Sequence, residues 1–153
     1  MPIFRSLTPL DADKLAHIHA AAFDRPWSAE SFTSDLNKRT TRAIACLGSD
    51  DEITGFVLAQ HTGNTAEILT IAIAPDSQRC GIGFALMQEM ETQLTARGVD
   101  ELMLDVAADN QAALALYEKA GFVSQNRRKA YYKAQNGPAI DAILMRRDWA
   151  GLP

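Results

Sequence analysis

The stretch that decides the fold of this chain is Gln78-Arg79-Cys80-Gly81-Ile82-Gly83, which joins a predicted strand to a predicted helix. Before it, the apolar and β-branched run Ile68 to Ala74 is typical of a buried strand, and Pro75-Asp76-Ser77 ends that strand. After it, apolar residues recur every four positions, as in a helix that faces the core: Ile82, Leu86, Met90 and Leu94. A strand that enters a helix through glycines leaves backbone N–H groups unpaired at the positive end of the helix dipole, and this geometry binds phosphate.

The stretch does not match two known types of phosphate-binding loop, and this narrows the choice of phosphate ligand. A nucleoside-triphosphate loop requires Gly, four residues and then Gly-Lys-Ser/Thr, and the chain contains no such run. A dinucleotide-binding loop requires Gly or Ala three residues after the second glycine, where this chain has Leu86. Two interpretations of the stretch stay open at this point: a binding loop for another phosphate ligand, or a tight turn without a ligand.

The composition predicts one globular domain over residues 1–153, since 47% of the residues are apolar and 22% are charged. No apolar run reaches the ~18 residues that span a membrane. The start of the chain lacks the layout of a signal peptide, and Cys46 and Cys80 form no metal-ligand pattern, so we expect reduced thiols and a cytoplasmic protein. The histidines also lack metal-ligand spacing. The net charge of −4 argues against a nucleic-acid partner.

The remaining patterns predict the order β-α-α-β-β-β-α-β-α-β-β. Asp11 is the predicted N-cap of a first helix, and Ser28 opens a second helix with a shifted capping-box pattern. A further helix runs from Asn110 to Ala120 and is closed by Gly121. The other predicted strands span Ile3 to Leu7, Ala43 to Leu47, Ile53 to Gln60, Glu101 to Ala107, Val123 to Lys133 and Ile140 to Arg147. This order implies an α/β (α+β) fold in which helices flank a mainly antiparallel sheet.

Two motifs together resemble the GNAT superfamily of N-acetyltransferases. The Gln-x-x-Gly-x-Gly spacing of residues 78–83 resembles the loop that holds the pyrophosphate of acetyl-CoA in that family. The run from Asn110 to Phe122 resembles the family's Asn-x-x-Ala-x-x-Leu-Tyr-x-x-x-Gly-Phe pattern, in which the tyrosine protonates the sulfur of coenzyme A. The resemblance implies a mixed sheet whose fourth and fifth strands splay apart to admit acetyl-CoA as cosubstrate.

Flanking segments resemble one group within that family, the RimI-type ribosomal-protein-alanine N-acetyltransferases. Upstream, Pro26-Trp27-Ser28 resembles the Pro-Trp-Ser segment of the group. Downstream, the segments from Arg127 to Tyr132 and from Asp141 to Met145 resemble its Arg-x-Tyr-Tyr and Asp-Ala-Ile-x-Met ending. The resemblance implies direct attack of a protein N-terminal amine, that of an alanine in a ribosomal protein, on the thioester of acetyl-CoA.

Carried over residue by residue, the resemblance implies the following contacts with acetyl-CoA: Ile71, Ala72, Ile73, Arg79, Cys80, Gly81, Ile82, Gly83, Phe84 and Asn110. Tyr117 takes the position of the general acid. From its helix alone a core tyrosine is the commoner interpretation, but a phenol of pKa about 10 is able to protonate a thiolate of pKa about 8.5. The base position, a glutamate in the group, falls on Asp105. Glu67, at the start of the preceding strand, is the rival base.

Several positions leave the functional interpretation open. Cys80 and Phe84 stand where members of the family often carry polar or basic side chains, so we expect weakened affinity for acetyl-CoA. The candidates for the wall of a peptide groove, each equally suited to the core or the sheet surface, are Trp27, Tyr131 and Tyr132. Two alternative functions are acetylation of a small amine, such as a polyamine or an antibiotic, and non-catalytic binding of coenzyme A by a regulatory module. Asp105 in place of glutamate is the feature that favours the second alternative.

Overall fold

The computed structural model describes residues 2–132 and 137–149, and its seven strands lie in a single mixed sheet. The strands are β1 (Ile3–Ser6), β2 (Thr41–Leu47), β3 (Ile53–Thr62), β4 (Thr65–Ile73), β5 (Glu101–Ala107), β6 (Val123–Tyr132) and β7 (Ile140–Asp148). Their order across the sheet is β1-β2-β3-β4-β5-β7-β6. β4 and β5 are parallel, and every other neighbouring pair is antiparallel. The predicted α/β fold with a mainly antiparallel sheet is confirmed.

The helices follow the predicted order as well. They are α1 (Ala12–Ala22), α2 (Ala29–Leu36), α3 (Ile82–Thr95) and α4 (Gln111–Lys119), with short 3-10 helices at Pro9–Asp11 and Pro75–Ser77. Within the described part of the chain, none of these helices combines the length and the apolar character that crossing a bilayer requires.

The ends of some strands differ from the predicted ones by up to three residues. β4 begins at Thr65 rather than Ile68, and β3 continues to Thr62 because it forms a hairpin with β4. The predicted end of the sixth strand, at Lys133, lies outside the described residues.

Asp11 occupies the N-cap position of α1, as predicted, but its side chain makes no capping hydrogen bond. Thr8 is the capping residue, and it caps the 3-10 helix that precedes α1, where its hydroxyl accepts the Leu10 N–H at 3.3 Å. The Asp11 carboxylate instead accepts the Thr8 backbone N–H at 2.9 Å and binds the Arg5 guanidinium at 3.0 Å. Since Pro9 has a backbone preset for a helical turn, the chain begins to turn before it reaches Asp11.

Two apolar cores cover the two faces of the sheet. α3 and α4 bury one face. Of the four residues of α3 predicted to face the core, Ile82 is partly buried and three are fully buried: Leu86, Met90 and Leu94. α1 and α2 bury the other face, where Phe32 packs edge-to-face on Phe56 of β3 with ring centroids 5.6 Å apart. β3 serves both cores because successive side chains alternate, and Val57 lies in the α3–α4 core.

β4 carries a β-bulge at Leu69. Its ladder with β3 skips this residue, since the neighbours Ile68 and Thr70 pair with consecutive residues of β3. The bulge shifts the alternation of side chains by one position. Ile68 lies in the α3–α4 core before the bulge, and Ile71 packs against the same core after it.

The parallel pairing of β4 with β5 is short. It covers three positions and ends where Glu67 lies opposite Met103. Beyond this point no described strand pairs with that edge of β4, whereas β5 continues its ladder with β7 as far as Ala107. The two strands therefore part beside the bulge, which is the splaying that the family resemblance implies. The gap between residues 68–73 of β4 and residues 104–107 of β5 is called the cleft below.

Candidate active site

The β4 edge of the cleft offers backbone hydrogen-bonding groups. Successive residues of a strand point their N–H and C=O groups alternately to its two edges, and on one edge Ile68 and residues 70–73 are paired with β3. The predicted cosubstrate contacts lie here: Ala72 is buried in the α1–α2 core, and the half-buried Ile71 and Ile73 pack against the α3–α4 core. An extended ligand that carries amide groups fits this edge in the manner of an added strand.

The loop between β4 and α3 has a left-handed backbone at two positions. The φ angle is 63° at Arg79 and 80° at Gly81. A left-handed backbone costs a residue with a Cβ about 1 kcal/mol or more, so Arg79 holds strain of the kind that collects in functional loops. The Gln78 side chain donates to the Ile73 carbonyl at 3.3 Å and thereby fixes the loop to the end of β4.

The first turn of α3 keeps unpaired backbone donors. Gly81 is the N-cap, and it has no side chain to accept the N–H groups of Ile82, Gly83 and Phe84. The Ala85 N–H, by contrast, is bound to the Gly81 carbonyl at 3.1 Å. The dipole of this 14-residue helix adds partial positive charge at the same place. The first turn of α3 therefore fits a diphosphate.

The two glycines of the loop have different structural roles. A Cβ at Gly81 would have no heavy atom within 4 Å, so this glycine is favoured by its φ angle rather than by lack of space. A Cβ at Gly83 would lie 3.1 Å from Cδ2 of Leu116 on α4. Gly83 therefore permits the close approach of α3 to α4, the helix that carries Tyr117.

The two departures from the family, Cys80 and Phe84, lie at the surface of the loop and on α3. The exposed Cys80 thiol donates to the Gln78 carbonyl at 3.5 Å. The Lys119 ammonium of α4 lies 4.6 Å from the centroid of the Phe84 ring. α4 thus brings a positive charge to a position where Phe84 itself has none. The expected weakening of acetyl-CoA binding stays a prediction, and Lys119 argues for a smaller effect.

α4 carries two of the predicted site residues. Asn110 is its N-cap, and the Asn110 Oδ1 accepts the Ala113 N–H at 3.1 Å. Tyr117 is only 6% exposed, and its ring contacts Phe122 edge-to-face with centroids 5.9 Å apart. Burial raises the pKa of the Tyr117 hydroxyl, and the nearby Tyr132 raises it further. The phenol therefore keeps its proton.

Glu67 and Asp105 lie on either side of the point where β4 and β5 part. Glu67 ends the paired part of β4, and Asp105 lies two residues beyond its partner Met103 on β5. The neighbours of both residues face the α3–α4 core, so both carboxylates point to the α1–α2 face. The Oδ1 of Asp105 is buried and has no hydrogen-bond partner among the described residues, whereas Glu67 is exposed. A buried acceptor without a donor suits an ammonium group, an amine or a water molecule.

Tyr132 of β6 completes this arrangement. Its pKa is raised to about 12, first by burial and then by the charges of Asp105 and Glu67 and by Tyr131, against a lowering effect of Arg128. Tyr132 also raises the pKa of Tyr117, so electrostatic interactions link the two phenols with the two carboxylates. These four residues are called the cleft cluster below: Glu67, Asp105, Tyr117 and Tyr132.

The other two residues predicted for the peptide groove, Tyr131 and Trp27, lie in different surroundings. Tyr131 is 50% exposed and contacts Tyr132 edge-to-face, with ring centroids 5.1 Å apart. Trp27 lies in the connection between α1 and α2, and its half-buried indole packs 5.4 Å from the rings of His19 and Phe32. The structure therefore brings Tyr131 to the cleft cluster, while the indole of Trp27 takes part in the α1–α2 core.

Two residues beside the cleft, Thr70 and His19, were not predicted from the sequence. Thr70 directly follows the bulge, and its buried hydroxyl lies 3.0 Å from Nε2 of His19 on α1. The other ring nitrogen of His19, Nδ1, accepts the Trp27 N–H at 3.0 Å. The signal available in the sequence was Thr70 itself, a lone polar residue in the apolar run of β4, because buried polar groups require partners. The partner, 51 residues earlier in the chain, has no signal of its own.

Comparison with known proteins identifies the family. Residues 12–122 match the model of the acetyltransferase (GNAT) family. Over 145 residues the chain is 36% identical to the ribosomal protein bS18-alanine N-acetyltransferase of Escherichia coli K12, with 95% of this chain and 96% of that protein covered. Over 149 residues it is 33% identical to the N-alpha-acetyltransferase RimI of Mycobacterium tuberculosis, with 94% of this chain and 90% of that protein covered.

Solved structures agree. The crystal structure of the ribosomal-protein-S18-alanine N-acetyltransferase from Escherichia coli matches with a TM-score of 0.89 at 34% identity, covering 97% of this chain and 94% of that chain. Arabidopsis thaliana NAA60 in complex with acetyl-CoA matches in fold, with a TM-score of 0.85 at 24% identity and coverage of 97% of this chain and 98% of that chain. The family resemblance seen in the sequence motifs is confirmed: the chain belongs to the GNAT family and is an N-acetyltransferase that uses acetyl-CoA.

Proposed function

We propose that this enzyme acetylates the α-amino group of a protein N-terminus, and that its acceptor is the N-terminal alanine of a ribosomal protein. The observation that carries the proposal is the cleft cluster, in which Glu67 and Asp105 lie beside the point where β4 and β5 part and Tyr132 interacts electrostatically with both carboxylates and with Tyr117. The choice of acceptor is supported by the similarity to the bS18-alanine N-acetyltransferase, which extends over 95% of this chain. A ribosomal acceptor places the reaction in the cytoplasm, as the sequence predicts.

The binding of acetyl-CoA, which supplies the acetyl group as a thioester, is assigned to β4 and to the loop before α3. The unpaired backbone edge at Ile71, Ala72 and Ile73 would bind the amides of the pantetheine arm. The free N–H groups in the first turn of α3 would hold the diphosphate, and the exposed Arg79 guanidinium would add charge-assisted hydrogen bonds. Both elements bind through their backbone, so Cys80 and Phe84 are compatible with the role.

Asp105 is the base that we assign to the reaction. The amine must lose a proton around the time it attacks the thioester carbonyl, and Asp105 Oδ1 is a buried acceptor without a described partner. The exposed Glu67 lies on the same face and would hold the incoming ammonium group by charge. Because aspartate is one methylene shorter than glutamate, transfer to Asp105 through one water molecule is consistent with this arrangement.

Tyr117 is the acid that we assign to the leaving sulfur. Burial raises the pKa of its hydroxyl, which makes the phenol a weaker acid than its ordinary pKa of about 10 indicates. The same burial disfavours a thiolate, and hence raises its proton affinity in the same surroundings. The direction of proton transfer depends on the difference between the pKa values of the Tyr117 hydroxyl and of the leaving thiol, rather than on either pKa alone. A buried phenol that keeps its proton throughout the physiological range therefore suits the acid.

An α-amino acceptor requires a less effective base than a lysine acceptor does. An amine of pKa about 7.8 is neutral in about one molecule in seven at pH 7, whereas a lysine of pKa about 10.4 is neutral in about one molecule in 2,500. A protein N-terminus thus needs less help in losing its proton than a lysine side chain does. The exposed Tyr131 and the half-buried Tyr132 and Trp27 are assigned to the wall that contacts the first residues of the acceptor.

The test supplies the purified enzyme with acetyl-CoA and three acceptors. These are a peptide that begins with alanine and contains a lysine, the same peptide with a formylated N-terminus, and spermidine. We expect acetylation of the free peptide alone, at its α-nitrogen, as located by tandem mass spectrometry. Acetylation of spermidine alone would contradict the proposal, and so would binding of acetyl-CoA without transfer to any amine.

A second experiment names the acceptor. The N-termini of ribosomal proteins from cells with and without this enzyme are compared by mass spectrometry. We expect one N-terminal alanine to lose its acetyl group when the enzyme is absent. An unchanged set of N-termini would remove the ribosomal acceptor from the proposal.

A further inference from the structure

His19 is a buried histidine with both ring nitrogens in use. It lies in the last turn of α1, is 2% exposed, and accepts the Trp27 N–H at Nδ1 over 3.0 Å. A nitrogen that accepts carries no proton, so the proton of the neutral ring is assigned to Nε2, which then donates to the Thr70 Oγ1 at 3.0 Å. The ring thus joins α1, the α1–α2 connection and β4.

The surroundings of His19 keep the ring neutral and fixed. Its ring stacks on Phe23 at 4.3 Å between centroids, and it contacts Trp27 at 5.4 Å and Phe32 edge-to-face at 5.5 Å. Burial among these rings lowers the pKa of His19 to about 4. Because both nitrogens are engaged and buried, His19 is not available to transfer a proton to or from an acceptor.

The two ends of this link lie on either side of the acceptor route. Thr70 follows the bulge on β4, three residues after Glu67 of the cleft cluster. Trp27 belongs to residues 23–28, a connection without helix or strand between α1 and α2. Like Glu67 and Asp105, the connection lies on the α1–α2 face of the sheet, from which an amine reaches the two carboxylates.

We propose that His19 is a positioning residue for the acceptor, because it ties the Trp27 segment to Thr70 of β4 and so sets the distance between the peptide wall and the cleft cluster. The inference rests on the proposed function and assigns a cause to the position of the wall. It predicts that breaking the link loosens binding of the peptide while acetyl-CoA, held by β4 backbone groups and the loop, binds as before.

The test measures steady-state kinetics with an alanine-starting peptide in four variants of the whole chain. Thr70→Val removes the acceptor of the Nε2 hydrogen bond with little change in volume, and Thr70→Ser restores an acceptor. His19→Asn keeps an oxygen near the position of Nδ1, for the Trp27 N–H, but loses the contact with Thr70. Ile44→Val is the stability control, since Ile44 is fully buried in the opposite, α3–α4 core.

We expect Thr70→Val and His19→Asn to raise the peptide KM about tenfold, since each leaves one buried polar group without its partner. The kcat and the Kd for acetyl-CoA should stay within about twofold of the wild-type values, and Thr70→Ser should restore the KM. Ile44→Val should lower the melting temperature and leave the KM unchanged. Exchange of the Trp27 amide hydrogen, followed by NMR, should become faster in Thr70→Val.

Failure of this inference and failure of the proposed function give different results. If the wild-type enzyme acetylates the peptide and Thr70→Val keeps the wild-type KM, or if Thr70→Ser fails to restore it, the positioning role is overturned and the proposed function stands. Unchanged exchange of the Trp27 amide in Thr70→Val likewise overturns the inference. If the wild-type enzyme acetylates no peptide, both are overturned.

Discussion

The half of the molecule that binds acetyl-CoA and the half assigned to the acceptor are built in different ways. In the half assigned to acetyl-CoA, the proposed contacts are backbone groups of β4 and α3, and the contact that fixes the loop joins Gln78 to Ile73, five residues away. In the acceptor half, the proposed contacts come from side chains, and the contact that fixes this half joins His19 to Thr70, 51 residues apart in the chain. A site made of backbone leaves a short local motif in the sequence, whereas a site made of distant side chains does not. The predictions below test each half in turn.

The largest effect is expected for Tyr117→Phe. Removal of the general acid should lower kcat about 100-fold or more, while the Kd for acetyl-CoA changes little, because the phenyl ring keeps its contact with Phe122. Stopped-flow or steady-state kinetics with calorimetry would measure both quantities. Tyr131→Phe is the matched control, since it removes the same hydroxyl from a ring that is 50% exposed, and it should keep kcat. An unaltered kcat in Tyr117→Phe would remove this residue from the mechanism.

Removal of the Asp105 carboxylate and removal of the Glu67 carboxylate should affect different kinetic constants. Asp105→Asn should lower kcat about tenfold to 100-fold, because the amide accepts no proton from the attacking amine. Glu67→Gln should raise the KM of the peptide with a smaller change in kcat, because only the attraction for the ammonium group is lost. Steady-state kcat and KM of the two variants, measured with one peptide, would distinguish the roles. A larger loss of kcat in Glu67→Gln than in Asp105→Asn would exchange the two assignments.

A smaller effect is expected at the loop, where two glycines allow a matched comparison. Gly81→Ala forces a Cβ onto a backbone with a φ of 80°, which costs about 1 kcal/mol and corresponds to a Kd for acetyl-CoA about fivefold higher if the loop relaxes. Gly83→Ala places its Cβ 3.1 Å from the flexible end of Leu116, within a helix that favours alanine. Its effect on the Kd should be below about twofold. Calorimetry with acetyl-CoA measures both, and equal Kd values for the two variants would contradict the strain argument.

The fold was predictable to the extent that its signals are local. The spacing of Leu86, Met90 and Leu94 identifies α3, and Asn110 marks the start of α4, where the structure shows its side chain capping the helix. The bulge at Leu69 was not predictable, because β4 carries apolar residues on both faces from Ile68 onward, so that a shift in its alternation cannot be read from the sequence. The N-cap position of Asp11 was predictable, but not the absence of its capping hydrogen bond, because its carboxylate binds the Thr8 N–H and Arg5 instead.

The site was predictable on its acetyl-CoA side and only in part on its acceptor side. The motifs gave the loop, Tyr117 and Asp105 as candidates, with Glu67 as the rival base. The structure brings Tyr132 within electrostatic reach of Tyr117 and of both carboxylates. The positive φ at Arg79 has no sequence signal, because arginine is not a residue that a left-handed backbone favours. The role of His19 has no sequence signal either, because the packing of α1 on β4, rather than the neighbouring residues in the chain, determines its hydrogen-bond partners.

The smallest effect is expected for the change in the free energy of unfolding with pH near neutrality, to which His19 contributes. In the unfolded chain His19 takes up a proton as the pH falls through about 6.5, whereas burial lowers its pKa in the folded protein to about 4. The unfolded state therefore binds more protons between these values, so the free energy of unfolding falls as the pH falls through this window and levels off below it.

Between pH 7 and pH 6 the contribution of His19 to this fall is less than about 1 kcal/mol, and over the full window it reaches about 3 kcal/mol. Urea unfolding at several pH values, in the wild type and in His19→Gln, measures the contribution as the difference in slope. His17→Gln is the control, because it makes the same substitution at an exposed position of the same helix. An equal slope in the wild type and in His19→Gln would mean that the ring is hydrated in solution. The link between Trp27 and Thr70 would then lack the dry surroundings on which its rigidity depends.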